Sequence, residues 1–85
     1  MAYYVYLVEC ADGTYYCGYT KDLEKRVYDH NNTSHGAFYT KNKRPVKLIY
    51  SEEYKTQREA MRREYEIKTY KRKRKEELVF QSNGT

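Results

Sequence analysis

The chain has 85 residues, enough for one small domain but not for a second domain or a large cofactor pocket. Aromatic residues make up 16% of it, nearly all tyrosine, which excludes a disordered composition and indicates a fold with tyrosines in its core. No run of about 18 apolar residues is present, and the first residues lack the basic region of a signal peptide. Since two cysteines are too few for a disulfide scaffold, we expect a reduced cytoplasmic protein without a membrane-spanning segment.

The positive charge is concentrated in one window. The whole chain has a net charge of +5, whereas residues 58–75 hold nine basic and three acidic residues, a net charge of +6. A concentrated positive field attracts polyanions, so nucleic acid is the first expected partner. A membrane surface is a weaker expectation, because this window lacks the Trp, Phe and Leu face of an interfacial helix.

The first two elements are predicted to be the strands of a β-hairpin. Residues 3–10 are rich in Tyr and Val, residues 11–13 have the composition of a tight turn, and a second strand is predicted over 14–19. The following segment, 20–30, is predicted to be a helix that ends near Asn31, with Thr20 or Asp22 as its N-cap.

Pairing within this hairpin brings two phenols to one face. If Cys10 pairs with Thr14, Tyr6 lies opposite Gly18, and Tyr16 lies on the same face as a diagonal neighbour of Tyr6. Because glycine has no side chain, a space is left in front of Tyr6, and two phenols beside it form a plausible small site. The alternative is that these tyrosines only pack. The same register pairs Cys17 with Leu7, so a disulfide between the two cysteines is not expected.

The rest of the chain is predicted to contain one strand and two helical segments. Residues 31–44 form a long polar loop of the kind that is functional or mobile. A third strand is predicted over 46–50, with its continuation to Tyr54 left open. Thr56 and the Glu three residues later form a capping box that starts a helix to about Tyr70, and a second helical piece follows into Phe80. Residues 81–85 are predicted to be a flexible tail.

Glu64 lies within the predicted apolar stripe of the second helix, beside Ala60, Met61 and Ile67. A carboxylate there needs a partner, which is either a hard cation such as Mg²⁺ or a neighbouring basic side chain. The basic candidates are Arg62, Arg63 and Lys68. The histidines and cysteines have no metal-ligand spacing, so a zinc site is not expected.

Taken together, these residues resemble the GIY-YIG nucleases. Tyr4-Val5-Tyr6 followed ten residues later by Tyr16-Cys17-Gly18 is similar to the family's paired signature. Arg26 and His30, four residues apart on the first helix, look like its continuation, and Glu64 stands where the family keeps a metal-binding Glu. The resemblance runs over about residues 3–78 and is closest to small stand-alone bacterial members.

The resemblance implies an α+β fold in which a three-stranded antiparallel sheet is flanked by helices in the order β-β-α-β-α, with a further C-terminal helix. It implies a single domain over residues 1–80 that hydrolyses phosphodiester bonds with one divalent metal, Mg²⁺ or Mn²⁺. The implied catalytic residues are Tyr6, Tyr16, Arg26 and His30, with Glu64 as the metal ligand. One tyrosine, not specified, takes the proton of the attacking water, and Arg26 steadies the phosphate charge. The expected nucleic-acid contacts are Gly18, Tyr39, Arg63, Lys68, Lys71 and Arg72.

Three functions follow as hypotheses. The first is an endonuclease acting on DNA of a repair or recombination type, with a partner protein that selects the target. The second is a module that binds DNA or RNA with weak or no cleavage, because Tyr19 stands where several active members carry Lys and their later Asn has no counterpart here. The third is a basic protein of a larger complex that uses its lysine run as a protein contact.

Overall fold

The computed structural model describes residues 2–33 and 38–83 of the chain. Its elements are, in chain order, β1 (Tyr3–Glu9), β2 (Tyr15–Thr20), α1 (Leu23–Asn32), a short 3₁₀ turn (Phe38–Thr40), β3 (Lys47–Tyr54), α2 (Gln57–Lys68) and α3 (Arg72–Asn83). The predicted α+β class and the predicted element order are confirmed. The third strand extends to Tyr54, the longer of the two alternatives.

The hairpin forms with the predicted register. Gly13 has a φ of 85°, a left-handed conformation that glycine adopts without strain, and the amide of Cys10 donates to the carbonyl of Thr14 at 2.7 Å. The register places Tyr6 opposite Gly18, as predicted. The turn chemistry and the alternation of side chains therefore fix which residues of the two strands share a face.

β1 is the central strand of the sheet, because β2 and β3 pair antiparallel with its two edges. Residues 5–8 of this strand are all buried, so the strand is covered on both faces. A register shift between Leu7 and Val8 interrupts the pairing with β3. β2 is an edge strand of this three-stranded sheet. The helices α1 and α2 lie on opposite faces of the sheet.

The two faces of the sheet carry separate apolar clusters. On one face, Tyr6, Val8, Cys10 and Val46 pack with Tyr16 and with the α1 residues Leu23 and Val27. On the other face, Val5, Leu7 and Cys17 pack with Ala60 and Ile67 of α2, and Leu78 and Val79 of α3 border this cluster. The face that carries Tyr6 and Tyr16 is therefore the α1 face.

Side chains cap the first two helices as the sequence predicts. The carboxylate of Asp22, one of the two predicted caps of α1, accepts from the amide of Lys25 at 3.1 Å. The hydroxyl of Thr56 accepts from the amide of Glu59 at 3.2 Å and lies 3.0 Å from the Glu59 carboxylate, so the two residues of the predicted capping box are in contact. These caps fix where α1 and α2 begin, and hence which of their residues face the sheet.

The exposure of Met61 and the end of α3 differ from the sequence expectations. Met61 is 47% exposed rather than part of the core, because α2 turns Ala60 and Ile67 towards the sheet and Met61 falls beside that stripe. α3 continues to Asn83, so the helix includes three residues of the predicted tail, while residues 84 and 85 lie outside the described part. None of the helices described is long and apolar enough to cross a membrane.

Candidate active site

Tyr6 lies buried under Gly18 at the centre of the α1 face. A methyl group at Gly18 would stand 2.5 Å from the hydroxyl oxygen of Tyr6 and 2.8 Å from its ring. Such distances are too short for any side chain, so only glycine leaves room for the phenol. The sequence prediction of a glycine gap in front of Tyr6 is confirmed.

The hydroxyl of Tyr6 joins two residues of α1. Arg26 Nε donates to the hydroxyl oxygen at 3.2 Å, and His30 Nε2 lies 2.8 Å from the same oxygen. The other ring nitrogen of His30, Nδ1, lies 2.8 Å from Thr40 Oγ1 in the 3₁₀ turn. The spacing of four residues between Arg26 and His30 thus brings both side chains to one phenol, as their shared helix face predicts.

Burial determines the protonation states in this cluster. It raises the pKa of Tyr6 to about 12, although the hydrogen bond from Arg26 acts in the opposite direction. It lowers the pKa of His30 to about 4, and the positive charge of Arg26 adds to this effect. At neutral pH Tyr6 is therefore a phenol and His30 a neutral imidazole.

These protonation states select one tautomer of His30. The Tyr6 oxygen accepts from Arg26, and His30 Nε2, 2.8 Å from that oxygen, is positioned to accept the Tyr6 proton. We infer that Tyr6 donates to Nε2, which leaves the ring proton on Nδ1, where it is donated to Thr40 Oγ1. Both ring nitrogens of His30 are then committed to neighbours within the protein.

Tyr16 is half-buried and forms the border between this buried cluster and the surface. Its ring lies edge-on to His30, with centroids 5.4 Å apart, and stacks on Tyr39 with centroids 5.8 Å apart. The ammonium of Lys43 lies 3.8 Å over the ring of Tyr39. Tyr39, predicted from the sequence to reach the site from the loop, is thus placed beside Tyr16.

Glu64 on α2 is linked to Tyr16 through Lys68. Its side chain is 19% exposed, and Lys68 Nζ lies 3.5 Å from its carboxylate and 5.8 Å from the ring centroid of Tyr16. The Cys17 thiol contacts the backbone carbonyl of Glu64 at 4.0 Å, which anchors this turn of α2 to β2. The sequence left Arg62, Arg63 and Lys68 open as basic partners of Glu64, and in the structure Lys68 forms the ion pair.

The donors at this position suit a hard divalent cation. In the described ranges, no group of three or more His, Cys, Asp or Glu residues is arranged to hold a metal ion. Glu64 therefore offers a single carboxylate, which fits Mg²⁺ or Mn²⁺, since such ions keep several sites for water and phosphate. Zinc, which takes three or four protein ligands, does not fit.

Three of the six predicted nucleic-acid contacts lie outside this cluster: Arg63, Lys71 and Arg72. Arg63 faces β3, where its Nε and Nη2 atoms donate to the carboxylate of Glu52 at 2.9 and 3.0 Å. Arg72 begins α3 and lies over the ring of Tyr15, with its Nη1 atom donating to the carbonyl of Gly13 at 2.6 Å. Lys71, between α2 and α3, is exposed. The structure thus brings together Tyr6, Tyr16, Gly18, Arg26, His30, Tyr39, Glu64 and Lys68.

Sequence reasoning missed two residues that shape the site. Thr40 is fully buried and holds the ring of His30, and Arg44 donates through Nε to the backbone carbonyl of His30 at 2.5 Å. The sequence assigned neither residue a role in the site, although Tyr39-Thr40 and Arg44-Pro45-Val46 belong to segments that also resemble the small bacterial GIY-YIG members. A further signal was the position of both in a long polar loop, since such loops in compact domains tend to be functional.

Comparisons with known proteins agree with this arrangement. Residues 2–77 match the family model described as the GIY-YIG catalytic domain. A UPF0213 protein of Staphylococcus saprophyticus is 53% identical over 77 residues, which are 91% of this chain and 93% of that protein. A UPF0213 protein of Staphylococcus aureus strain N315 is 53% identical over 78 residues, covering 92% and 94% of the two chains.

Two solution NMR structures are also similar. A UPF0213 protein from Bacillus halodurans has a TM-score of 0.59 and 43% identity, covering 93% of this chain and 83% of that one. A protein from E. faecalis has a TM-score of 0.66 and 37% identity, covering 100% of this chain and 90% of that one. The likeness therefore extends over the sheet and all three helices.

Proposed function

Because the chain belongs to the GIY-YIG family, and within it to the small UPF0213 proteins, we propose that it is a metal-dependent endonuclease. Its substrate would be DNA of the kind that arises in repair or recombination. The bond that it hydrolyses would be a phosphodiester. The observation that carries the proposal is the contact of the Tyr6, Arg26 and His30 cluster with Tyr16. Lys68, the ion-pair partner of Glu64, lies over the Tyr16 ring and so links the cluster to Glu64. A guanidinium, a phenol and a carboxylate at one edge are the groups that phosphodiester hydrolysis needs.

The two phenols have different surroundings and so different roles. Tyr6 is buried, protonated and hydrogen-bonded on both sides, which suits a positioning residue that holds Arg26. Tyr16 is half-buried and lies on the Glu64 side of the cluster. Tyr16 is therefore the phenol that takes the proton of the attacking water. His30 and Thr40 act through Tyr6 by fixing its hydroxyl.

Arg26 provides charge for the phosphate. Its Nε atom donates to Tyr6, which orients the guanidinium, and Arg26 also lines a cavity beside the start of α1 together with Lys21 and Lys25. A planar guanidinium matches two phosphate oxygens at once. A divalent cation bound to Glu64 would neutralise charge on the phosphate oxygens when present. Lys68, the partner of Glu64, would then be released towards the nucleic acid.

The test is cleavage of labelled single-stranded, duplex, flap and branched DNA, and of RNA, at low salt with Mg²⁺ or Mn²⁺. We expect metal-dependent cuts in DNA that disappear with EDTA. Glu64→Gln should abolish cleavage and retain binding. Tyr16→Phe should lower the rate by roughly 10²-fold or more, the usual loss of a general base, and Tyr6→Phe by less.

Glu66→Gln is the matched control for Glu64→Gln, because Glu66 lies on the same helix, is exposed and faces Arg63. Its cleavage rate should equal that of the unaltered protein. Equal rates for the Glu64 and Glu66 variants would contradict the assignment of the metal ligand. A larger loss from Tyr6→Phe than from Tyr16→Phe would reverse the roles of the two phenols.

A second function, nucleic-acid binding with weak or no cleavage, is favoured by two contacts. The carboxylate of Glu64 is already paired with Lys68, and Tyr19, which stands where several active members carry Lys, accepts from Gln57 at 3.2 Å. Salt-sensitive binding without cuts in any substrate or metal would support this function. In either case, a partner protein that selects the target remains part of the proposal.

A further inference from the structure

The solvent side of α2 carries four residues that the proposed reaction leaves largely unused. Arg58, Met61, Tyr65 and Lys68 recur at intervals of three and four residues, so they lie along one side of the helix, here called the α2 stripe. A basic residue stands at each end, with a thioether and a phenol between them. Met61 is 47% exposed and Tyr65 75% exposed. Two large neighbouring side chains exposed in this way indicate a contact surface.

Most acidic residues of α2 lie on the side of the helix opposite to the α2 stripe. At about 100° per residue, Glu59 and Glu66 lie on the far side of the helix, together with Arg63. Glu64 borders the stripe and is the exception. Across the described ranges, Arg58 takes part in no ion pair. The stripe therefore presents positive charge to a partner, which favours a polyanion over a neutral protein surface.

The α2 stripe is continuous with the candidate active site. Its last member, Lys68, contacts the carboxylate of Glu64 and lies over Tyr16. Tyr65 directly follows Glu64 along the helix, and Met61 precedes Glu64 by one turn. A strand whose phosphate lies between Arg26 and Glu64 would therefore continue onto this side of α2.

We propose that the α2 stripe binds unpaired nucleotides of the substrate beside the bond that is cut, with a base stacked on Tyr65. This inference rests on the proposed function, since it places the same nucleic acid. Stacking on an exposed phenol requires a base whose face is free, which a base within a duplex does not have. The substrate class is therefore nucleic acid with a single-stranded segment next to the site, and Arg58 and Lys68 neutralise its backbone.

The experiment measures binding without cleavage, by fluorescence anisotropy of labelled single-stranded and blunt duplex oligonucleotides in EDTA. Tyr65→Ala should weaken single-strand binding roughly tenfold, as expected for loss of one stacked base, and leave duplex binding unchanged. Tyr65→Phe, which keeps the ring, should retain single-strand binding. Tyr28→Ala is the matched control, because Tyr28 is 60% exposed on the side of α1 away from Arg26 and His30.

Charge is tested separately from stacking. Arg58→Gln should lower the slope of log affinity against log salt by about 0.7 for single strands, the change for one lost phosphate contact. Lys47→Gln, at an exposed residue of β3 on the sheet edge opposite to β2, should leave the slope unchanged. Tyr65→Ala should lower affinity without changing the slope, because a phenol neutralises no phosphate.

Three outcomes would overturn the inference. If Tyr65→Ala binds single strands as tightly as the unaltered protein does, no base stacks on Tyr65. This side of α2 would then contact another macromolecule. An equal loss on duplex DNA would show that no unpaired base is needed. An unaltered protein that binds neither nucleic acid would overturn the proposed function itself. Intact binding with an insensitive Tyr65 would leave that function standing.

Discussion

At the scale of single residues, the site depends on a hydroxyl that touches no substrate. In the tautomer inferred above, Nδ1 of His30 donates to the hydroxyl of Thr40, and Nε2 accepts the proton of Tyr6. The Tyr6 oxygen is thereby left to accept from Arg26. The buried hydrogen bond between Thr40 and His30 thus determines the orientation of the Arg26 guanidinium, although neither residue of that bond is Arg26.

Replacing Thr40 by valine keeps the volume and removes the acceptor of the His30 ring proton. We expect Thr40→Val to lower the kcat of DNA cleavage roughly tenfold, with little change in KM, because Arg26 loses its fixed orientation. Thr40→Ser keeps the hydroxyl and should retain the activity of the unaltered protein. Nitrogen NMR shifts of the imidazole give a second readout, since they report which ring nitrogen of His30 carries the proton.

The NMR readout separates positioning from general loss of structure. The unaltered protein and Thr40→Ser should both show the tautomer protonated at Nδ1, and Thr40→Val should lose it. An unchanged tautomer in Thr40→Val would contradict the role of Thr40, whatever the effect of the substitution on kcat.

At the scale of elements, α2 is joined to β3 by a polar cluster outside the candidate site. Glu52 accepts from both Arg63 nitrogens and from the hydroxyls of Tyr50 and Tyr54. The Tyr54 bond is 2.6 Å, and the carboxylate is mostly buried. Arg63 is therefore a structural residue of the α2–β3 contact, although its place in the basic window suggested a phosphate contact.

Arg63→Gln and Lys71→Gln should therefore have opposite consequences. Arg63→Gln should lower the free energy of unfolding by about 1–3 kcal/mol, because it leaves the carboxylate of Glu52 without its charged partner, and should not change the salt slope of DNA binding. Lys71→Gln should lower that slope by about one unit and leave stability within about 0.5 kcal/mol. Urea unfolding and salt titration of binding measure the two effects.

A salt slope that falls in the Arg63 variant as much as in the Lys71 variant would show that Arg63 contacts phosphate after all. A stability unchanged by Arg63→Gln would show that the Glu52 cluster contributes little to the α2–β3 contact.

Elements whose signals are local were predicted well from the sequence. The hairpin register follows from one turn around Gly13, and the start of α2 follows from the Thr56 capping box, so both depend on residues within a few positions of each other. The side of α2 that faces the sheet was only partly predicted. Met61 fits the apolar periodicity as well as Ala60 does, and only packing against β1 and β2 distinguishes them.

At the scale of the whole molecule, the sequence predicted which residues of the candidate site lie together better than it predicted the residues that support them. Tyr6, Tyr16, Arg26 and His30 lie within 25 residues on one hairpin and the next helix, so register and helix spacing bring them together. The contacts of His30 with Thr40 and of Arg63 with Glu52 depend on the course of the chain between elements. No local pattern encodes that course.

The stability of the whole protein should depend on pH through His30. In the unfolded chain His30 has an ordinary pKa near 6.5, whereas burial and the charges of Arg26 and Arg44 lower its pKa to about 4 in the fold, against the attraction of Asp29. Between these two pH values the unfolded chain binds a proton that the folded protein excludes. The free energy of unfolding should therefore fall as the pH is lowered from 6.5 to 4.

Urea unfolding at pH 7 and pH 4.5 measures this loss. His30→Gln should show a smaller loss than the unaltered protein, while the contributions of the carboxylates are common to both and cancel in the comparison. An NMR titration of the His30 ring, with an expected midpoint near 4, tests the same point without a substitution. Equal losses in the two proteins and a midpoint near 6.5 would contradict it.

The central position of β1 has a consequence for the protein as it is made. β1 leaves the ribosome before β2 and β3. It finds β2 as its neighbour soon afterwards, but its other edge has no partner until residues 47–54 have been synthesised. During that interval a strand with four consecutive core residues presents an unpaired edge, which is a template for pairing with other nascent chains. The time taken to translate residues 21–54 therefore sets how long each new molecule is at risk of aggregation.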